Sequence, residues 1–278
     1  MGGRPNGMHR HIDVRGQVRG GMTVHSTAIV DSTARIADTA QIGPYSIIGA
    51  KVEIGAGTTI GPHVVIGAQT RIGADNKIFQ FASVGEISQD MTATPADDTW
   101  TLIGDRNVIR ENVTINRGTL KEDGTTRIGN DNWIMAYCHV AHDCQIGSHT
   151  IFANNASLAG HVHIGDWVIL GGFTLVHQFC RLGAHSFTGY ASGLDRDVPP
   201  FVLVDGNPAV PRGINSRGLQ RRGFDKNAIR SIKDAYRTIY RKELRLPDAV
   251  EALREQGDDP HVASMIEFIE SSQRGLQR

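Results

Sequence analysis

Two histidines three residues apart, with an aspartate directly after the second, stand in Cys138-His139-Val140-Ala141-His142-Asp143-Cys144. Imidazoles so placed support two chemistries. One is general-base catalysis, in which the adjacent carboxylate orients a neutral ring. The other is zinc binding by clustered histidines. The elements that hold these side chains decide between them.

Those elements are short and periodic. From Val24 an aliphatic residue returns every sixth position, at Val30, Ile36, Ile42 and on to Val84. The pattern resumes at Ile103, Ile109 and Ile115, and again from Ile128 through Val140 and Leu158 to Leu182. A period of six fits neither a helical face nor simple strand alternation; it is the hexapeptide signature of an all-β, left-handed parallel β-helix. Three strands close one 18-residue coil, and coils stack roughly 5 Å apart. The interruptions at 86–101 and 117–126 are loops thrown out from the prism, where binding groups usually sit. Cys138, Cys144 and Cys180 fall four residues after an inward aliphatic, a slot held elsewhere by Thr58, Val64 and Val162. They are packing residues, neither zinc ligands nor nucleophiles.

Register arithmetic then gathers the histidines. Val140, Leu158 and Val176 lie 18 apart, on one face of successive coils. His142 shares its offset with Gly160, and Asp143 shares its offset with His161. His177 and Gln178 follow one coil further. His139, His142, His161, His177 and Gln178 are therefore expected along one edge. His25, His63, His149, His163 and His185 are read as ordinary turn or surface residues. Asp143 beside His142 favours the general-base reading, with no metal and no cofactor. The zinc alternative is a β-helix enzyme like the gamma-class carbonic anhydrases, and an inert hexapeptide scaffold is a third reading.

The chain has 278 residues, with 29 basic and 29 acidic side chains, so net charge selects no partner and no nucleic acid is expected. From Arg212 to Arg245 bases outnumber acids, which suits an anionic ligand or an acidic protein. No apolar run is long enough to span a membrane. Residues 1–21 lack an apolar signal segment and are read as a disordered leader. Three cysteines without an export signal point to a reducing, cytoplasmic setting. The β-helix is placed at 22–205. After it, Asp197-Val198-Pro199-Pro200 and Gly206-Asn207-Pro208 mark turns, and a helical domain is placed at 206–278. Its helices are expected at 224–240, about 247–256 and about 260–271.

Several motifs run in a familiar order: Ile78-Phe79-Gln80-Phe81-Ala82-Ser83-Val84-Gly85-Glu86, Ala141-His142-Asp143-Cys144, Ala153-Asn154-Asn155, Leu158-Ala159-Gly160-His161, Val176-His177-Gln178-Phe179 and Arg221-Arg222-Gly223-Phe224. From about Met22 to Arg278 the chain resembles the cytosolic UDP-N-acetylglucosamine acyltransferases that begin lipid A synthesis in Gram-negative bacteria. The resemblance implies transfer of a 3-hydroxyacyl group from acyl carrier protein to the 3-position of the sugar nucleotide, in a homotrimer with sites between subunits. His142 then matches the general base, Asp143 its partner and Gly160 N–H the oxyanion donor. His139, His161 and His177 line the site, and Gln178 matches the contact to the acyl 3-hydroxyl. Gln89 and Asp90 match sugar contacts, while Asn215, Arg221 and Arg222 match nucleotide and diphosphate contacts. The basic helical tail fits docking of acyl carrier protein.

Three positions depart from that pattern: Thr92 replaces a lysine, Asn116 a histidine and Arg217 a frequent glutamate. All fall around the sugar nucleotide, so the 3-amino analogue is the alternative acceptor. Tyr190 stands where long-chain relatives have glycine, about three coils above His139, roughly 14 Å along the prism. It is read as an acyl-chain ruler that shortens the accepted chain. The later N-acyltransferase of the same pathway carries an N-terminal uridine-binding domain, for which a repeat starting by Val24 leaves no room.

Overall fold

Each six-residue unit becomes a two-residue strand and a turn, as in Trp133–Ile134, His139–Val140 and Gln145–Ile146. The second strand residue points inward and is buried, so branched aliphatics stack coil upon coil: Ile115, Val140, Leu158 and Val176 form one such column. In this computed structural model, residues 23–255, 257 and 259–278 are described, and the leader expected at 1–21 lies outside them. The strands form three sheets of 11, 9 and 8 strands, here faces A, B and C, visited in that order by each coil and parallel throughout except for the last strand of face A. The fold is a left-handed parallel β-helix with four helices after it.

Most turns between faces from Ile42 onward carry a left-handed residue three after the inward aliphatic, among them Tyr137 (φ 64°), Asp143 (φ 59°), His149 (φ 59°) and His161 (φ 61°). Aspartate, asparagine and histidine adopt that conformation more readily than most residues. The six-residue period therefore fixes the backbone of the turns as well as the strands.

The loops leave the prism between Ser83–Glu86 and Trp100–Ile103 and between Thr114–Asn116 and Thr125–Ile128. Near the end of the prism Val202–Asp205 extends face A and turns back as an antiparallel hairpin with Val210–Ile214. The sequence reading did not anticipate this hairpin, nor the short helix α1, Ser216–Arg221. Helices α2 (Lys226–Tyr240), α3 (Leu246–Arg254) and α4 (Pro260–Glu270) pack Ile232, Tyr236 and Ile239 against Val250, Leu253, Val262 and Met265. Asp225 and Asp259 cap α2 and α4 through their carboxylates. No helix among the described residues is long and apolar enough to cross a membrane.

Candidate active site

Val140 ends its strand fully buried, and the chain turns from face B to face C through Ala141, His142 and Asp143. His142 Nδ1 lies 2.8 Å from Asp143 Oδ2. The same oxygen accepts the Thr119 hydroxyl at 2.6 Å, and Oδ1 accepts the Thr119 backbone N–H at 2.9 Å. Asp143's own N–H donates to Thr126 Oγ1 at 2.8 Å. The carboxylate is entirely buried. Burial by itself pushes its pKa up, but the bonds from His142 and Thr119 outweigh it and hold the group below its ordinary range. An ionised Asp143 assigns the proton to His142 Nδ1 and leaves Nε2 as an open lone pair. Among the described residues Nε2 has no hydrogen-bond partner.

Gly160 lies directly over that ring. A Cβ added to Gly160 would fall 2.5 Å from His142 Cε1 and 2.7 Å from Nε2. Gly160 is buried, and its carbonyl accepts the Phe179 N–H at 3.1 Å while its own N–H has no partner among the described residues. His161 stands edge-on to His142 at 4.9 Å and stacks on Phe179 at 4.4 Å. Its N–H donates to the His142 carbonyl at 3.0 Å. His161 Nδ1 is 2.9 Å from Glu122 Oε1, out of line for a hydrogen bond, and 3.8 Å from Asp143 Oδ2. His139 Nδ1 shares a 2.7 Å hydrogen bond with Thr114 Oγ1. Burial, then the charge of His142, lowers its pKa.

His142, Asp143 and His161 each bring a possible metal-ligand atom within 4.8 Å of the others. Asp143 already satisfies Thr119 and His142, however, so it is not a free donor. The cysteines are free and buried, and burial pushes all three thiols up to about 12. They are poor ligands and poor nucleophiles in that state.

The site expected from register is thus assembled in part. His139, His142, Asp143, Gly160 and His161 come together. His177 and Gln178 continue the columns one coil above but are exposed, with His177 Nδ1 3.2 Å from the Gln178 carbonyl. No hydrogen bond or ring contact joins either to His142 among the described residues. Gln89 is exposed on the first loop. Asp90 accepts the Thr92 N–H at 2.9 Å and the Thr92 hydroxyl at 2.7 Å, and it pairs with Lys121 from the second loop. The Lys121 ammonium, then the Thr92 donors, hold its carboxyl well below the usual range. Lys121 thus brings a cation to the loop where Thr92 departs from lysine. Asn116 is buried, donating to the Ile87 carbonyl at 3.2 Å, and Arg217 is exposed.

Asn215, Arg221 and Arg222 lie on a different edge, between faces C and A. Asn215 caps α1 and donates to the His185 carbonyl at 3.0 Å. Arg222 donates to the Trp167 carbonyl at 2.9 Å and covers the Trp167 ring at 5.1 Å. Tyr190 lies on another edge than the spacing predicts. The register Ile134–Phe152–Leu170–Thr188 puts it three coils above Ala136, on the edge between faces A and B, not above His139. The column over His139 is Ser157, Leu175 and Gly193. Tyr190 packs edge-on to Phe173 at 5.7 Å and is 70% exposed. Sequence reasoning missed Thr119, Lys121 and Glu122, because a loop off the period carries no register.

A β-helix that sets an open imidazole lone pair beside a glycine one coil up whose N–H is unpartnered has the groups acyl transfer needs, and the chain is a hexapeptide-repeat acyltransferase. Residues 33–68 and 125–160 match the profile for bacterial transferase hexapeptides, and 197–277 match the second domain of UDP-N-acetylglucosamine O-acyltransferase. The chain belongs to the UDP-N-acetylglucosamine O-acyltransferase family. It is 57% identical over 208 residues to the acyl-[acyl-carrier-protein]–UDP-N-acetylglucosamine O-acyltransferase of Janthinobacterium sp. (strain Marseille), covering 73% of this chain and 79% of that one. The protein of the same name from Halorhodospira halophila is 57% identical over 204 residues, with the same coverage. Among solved structures, the UDP-N-acetylglucosamine acyltransferase of Francisella novicida superposes with a TM-score of 0.90 at 44% identity, covering 92% of this chain and 94% of that one. LpxA from Acinetobacter baumannii gives 0.89 at 47%, covering 91% and 99%.

Proposed function

We propose that the protein moves a (3R)-3-hydroxyacyl group from acyl carrier protein to the 3-hydroxyl of UDP-N-acetylglucosamine, opening lipid A synthesis in the cytoplasm as a homotrimer. The observation that carries this reading is the unpartnered His142 Nε2 packed against Gly160, whose own N–H is also without a partner among the described residues. His142 Nε2 takes the proton of the sugar hydroxyl as its oxygen attacks the thioester carbonyl carbon. The Gly160 N–H supports the oxyanion of the tetrahedral intermediate. The carbon–sulfur bond then breaks, and the departing thiolate recovers the proton from His142. Asp143 holds His142 in the reactive tautomer and stabilises the imidazolium between the two proton transfers. No acyl-enzyme forms.

His139, His161, His177 and Gln178 line the acyl side, and Gln89 and Asp90 the sugar side. Asn215, Arg221 and Arg222 bind the nucleotide and its diphosphate, where a guanidinium's forked donors suit phosphate. Exposed Lys226, Arg230, Lys233 and Arg237 share one face of α2 and suit an acidic carrier protein. Three free cysteines fit a reducing compartment. The decisive assay is acyl transfer from a ladder of 3-hydroxyacyl carrier proteins to UDP-N-acetylglucosamine and, separately, to its 3-amino analogue. Turnover of the 3-hydroxy sugar is expected, with His142→Ala slower by about 10²–10⁴. Preference for the amino sugar would reassign the acceptor, and full activity in His142→Ala would overturn the mechanism.

A further inference from the structure

We infer that Thr119 is a positioning residue for this reaction, gripping both oxygens of Asp143 so that the carboxylate stays aligned with His142 Nδ1. The inference rests on His142 being the base. Thr119 and Asp143 are both buried, at 4% and 0% exposure, so water does not substitute for the bonds between them. One residue fills two roles: its N–H holds Oδ1 at 2.9 Å and its hydroxyl holds Oδ2 at 2.6 Å. A carboxylate held at both oxygens cannot rotate about its terminal torsion. Oδ2 is also the oxygen that meets His142, at 2.8 Å, so the Thr119 hydroxyl and the His142 ring share one acceptor. The Lys121 N–H approaches the Thr119 oxygen at 3.4 Å, which directs the hydroxyl proton toward Asp143.

Thr119 is itself placed by the neck of its loop. The Gly118 N–H donates to the Trp100 carbonyl at 3.2 Å, and the Trp100 N–H donates to the Gly124 carbonyl at 2.8 Å. Gly118 and Gly124 approach so closely that a Cβ on Gly118 would fall 2.2 Å from the Gly124 carbonyl carbon. Before the neck, Arg117 donates to Gln69 Oε1 at 2.8 Å. Beyond it, Lys121 pairs with Asp90 and Glu122 faces His161. The loop is fastened on both sides of Thr119, and Thr119 touches the centre.

The hydroxyl also sets how much carboxylate charge His142 feels. The charged or titratable groups facing the pair are His139 on its strand, Cys144 directly after Asp143, His161 one coil above and Glu122 from the loop. Without the hydroxyl, Oδ2 has one donor fewer and interacts more strongly with the imidazolium. The acidic limb of the activity profile then moves up.

The test is steady-state transfer by the full chain, with acyl carrier protein and UDP-N-acetylglucosamine, for Thr119→Val, Thr119→Ser and His142→Ala across pH. A lost hydrogen bond to a charged group predicts kcat lower by roughly 10- to 100-fold in Thr119→Val, with each KM within about twofold. Its acidic limb should lie at higher pH, and Thr119→Ser should restore both rate and limb. Unchanged rate and limb in Thr119→Val, with His142→Ala inactive, would overturn the role of Thr119 alone. A Thr119→Ser variant as slow as Thr119→Val, both with lowered melting temperature, would make the residue merely structural. Activity retained by His142→Ala would remove the base reading and this inference with it.

Discussion

At the position of Gly160 there is room for hydrogen and nothing larger, since a Cβ would meet His142 at 2.5 Å and 2.7 Å. Gly160→Ala must push the imidazole off the attack line or lift the N–H from the oxyanion. Its kcat should fall by about 10²–10³, the size of a lost oxyanion donor, while circular dichroism stays native. Asp143 makes a second, pH-dependent prediction. Its folded pKa lies below the ordinary value of 3.8, so its stabilising contribution is present above that value and fades as pH falls through the folded one. The melting-temperature gap between the native chain and Asp143→Asn should therefore be widest near neutrality and close on acidification; a pH-independent gap would contradict the ionised, hydrogen-bonded carboxylate. His142, Asp143, Gly160 and His161 could be brought together from sequence because an 18-residue offset is a spatial coordinate in this fold. Thr119 could not, since its bond to Asp143 crosses 24 positions through a loop whose shape no period encodes.

The coil, not the strand, is the unit that places those groups. Strands of two residues have little stability alone, and inward side chains stacked along the axis hold them. Leu158 is wholly buried in the coil that carries Gly160 and His161. Leu158→Ala should cost about 2–5 kcal/mol by the transfer-plus-cavity rule, read as a lowered denaturation midpoint. Gly43→Ala tests the same architecture at a turn, because its Cβ would fall 2.6 Å from the Gly61 carbonyl carbon one coil on. A cost of about 1–3 kcal/mol is expected from such overpacking, well removed from His142. The repeat was legible because every inward position repeats one chemical type. The hairpin of residues 202–214 was not, because there the period decays and Gly206-Asn207-Pro208 reads equally as an exit from the prism. Helix α1 has six residues and no apolar period of its own. Counting coils from His139 misplaces Tyr190, because its own inward neighbour, Thr188, belongs to face A.

One chain by itself leaves the proposed nucleotide groups and the base apart: His142 stands between faces B and C, while Arg222 is fixed to Trp167 and His185 between faces C and A. If both serve one site, they come from neighbouring copies, and a closed ring in which each edge meets the other supplies that geometry. The arrangement predicts complementation. His142→Ala chains lack the base but keep the arginines, and Arg221→Ala/Arg222→Ala chains lack the arginines but keep the base. Each alone should be nearly inactive. Unfolded together in equal amounts and reassembled, half of all bases are intact and half of all neighbours carry arginines, so about a quarter of the sites should be whole. Mixed assemblies should accordingly recover about a quarter of native turnover, and mixing native chain equally with a chain carrying all three substitutions should leave about a quarter of sites whole if the site is shared and about a half if it is not. If base and arginines belonged to one chain's own site, the first mixture would contain no intact site at all and would remain as inactive as its components.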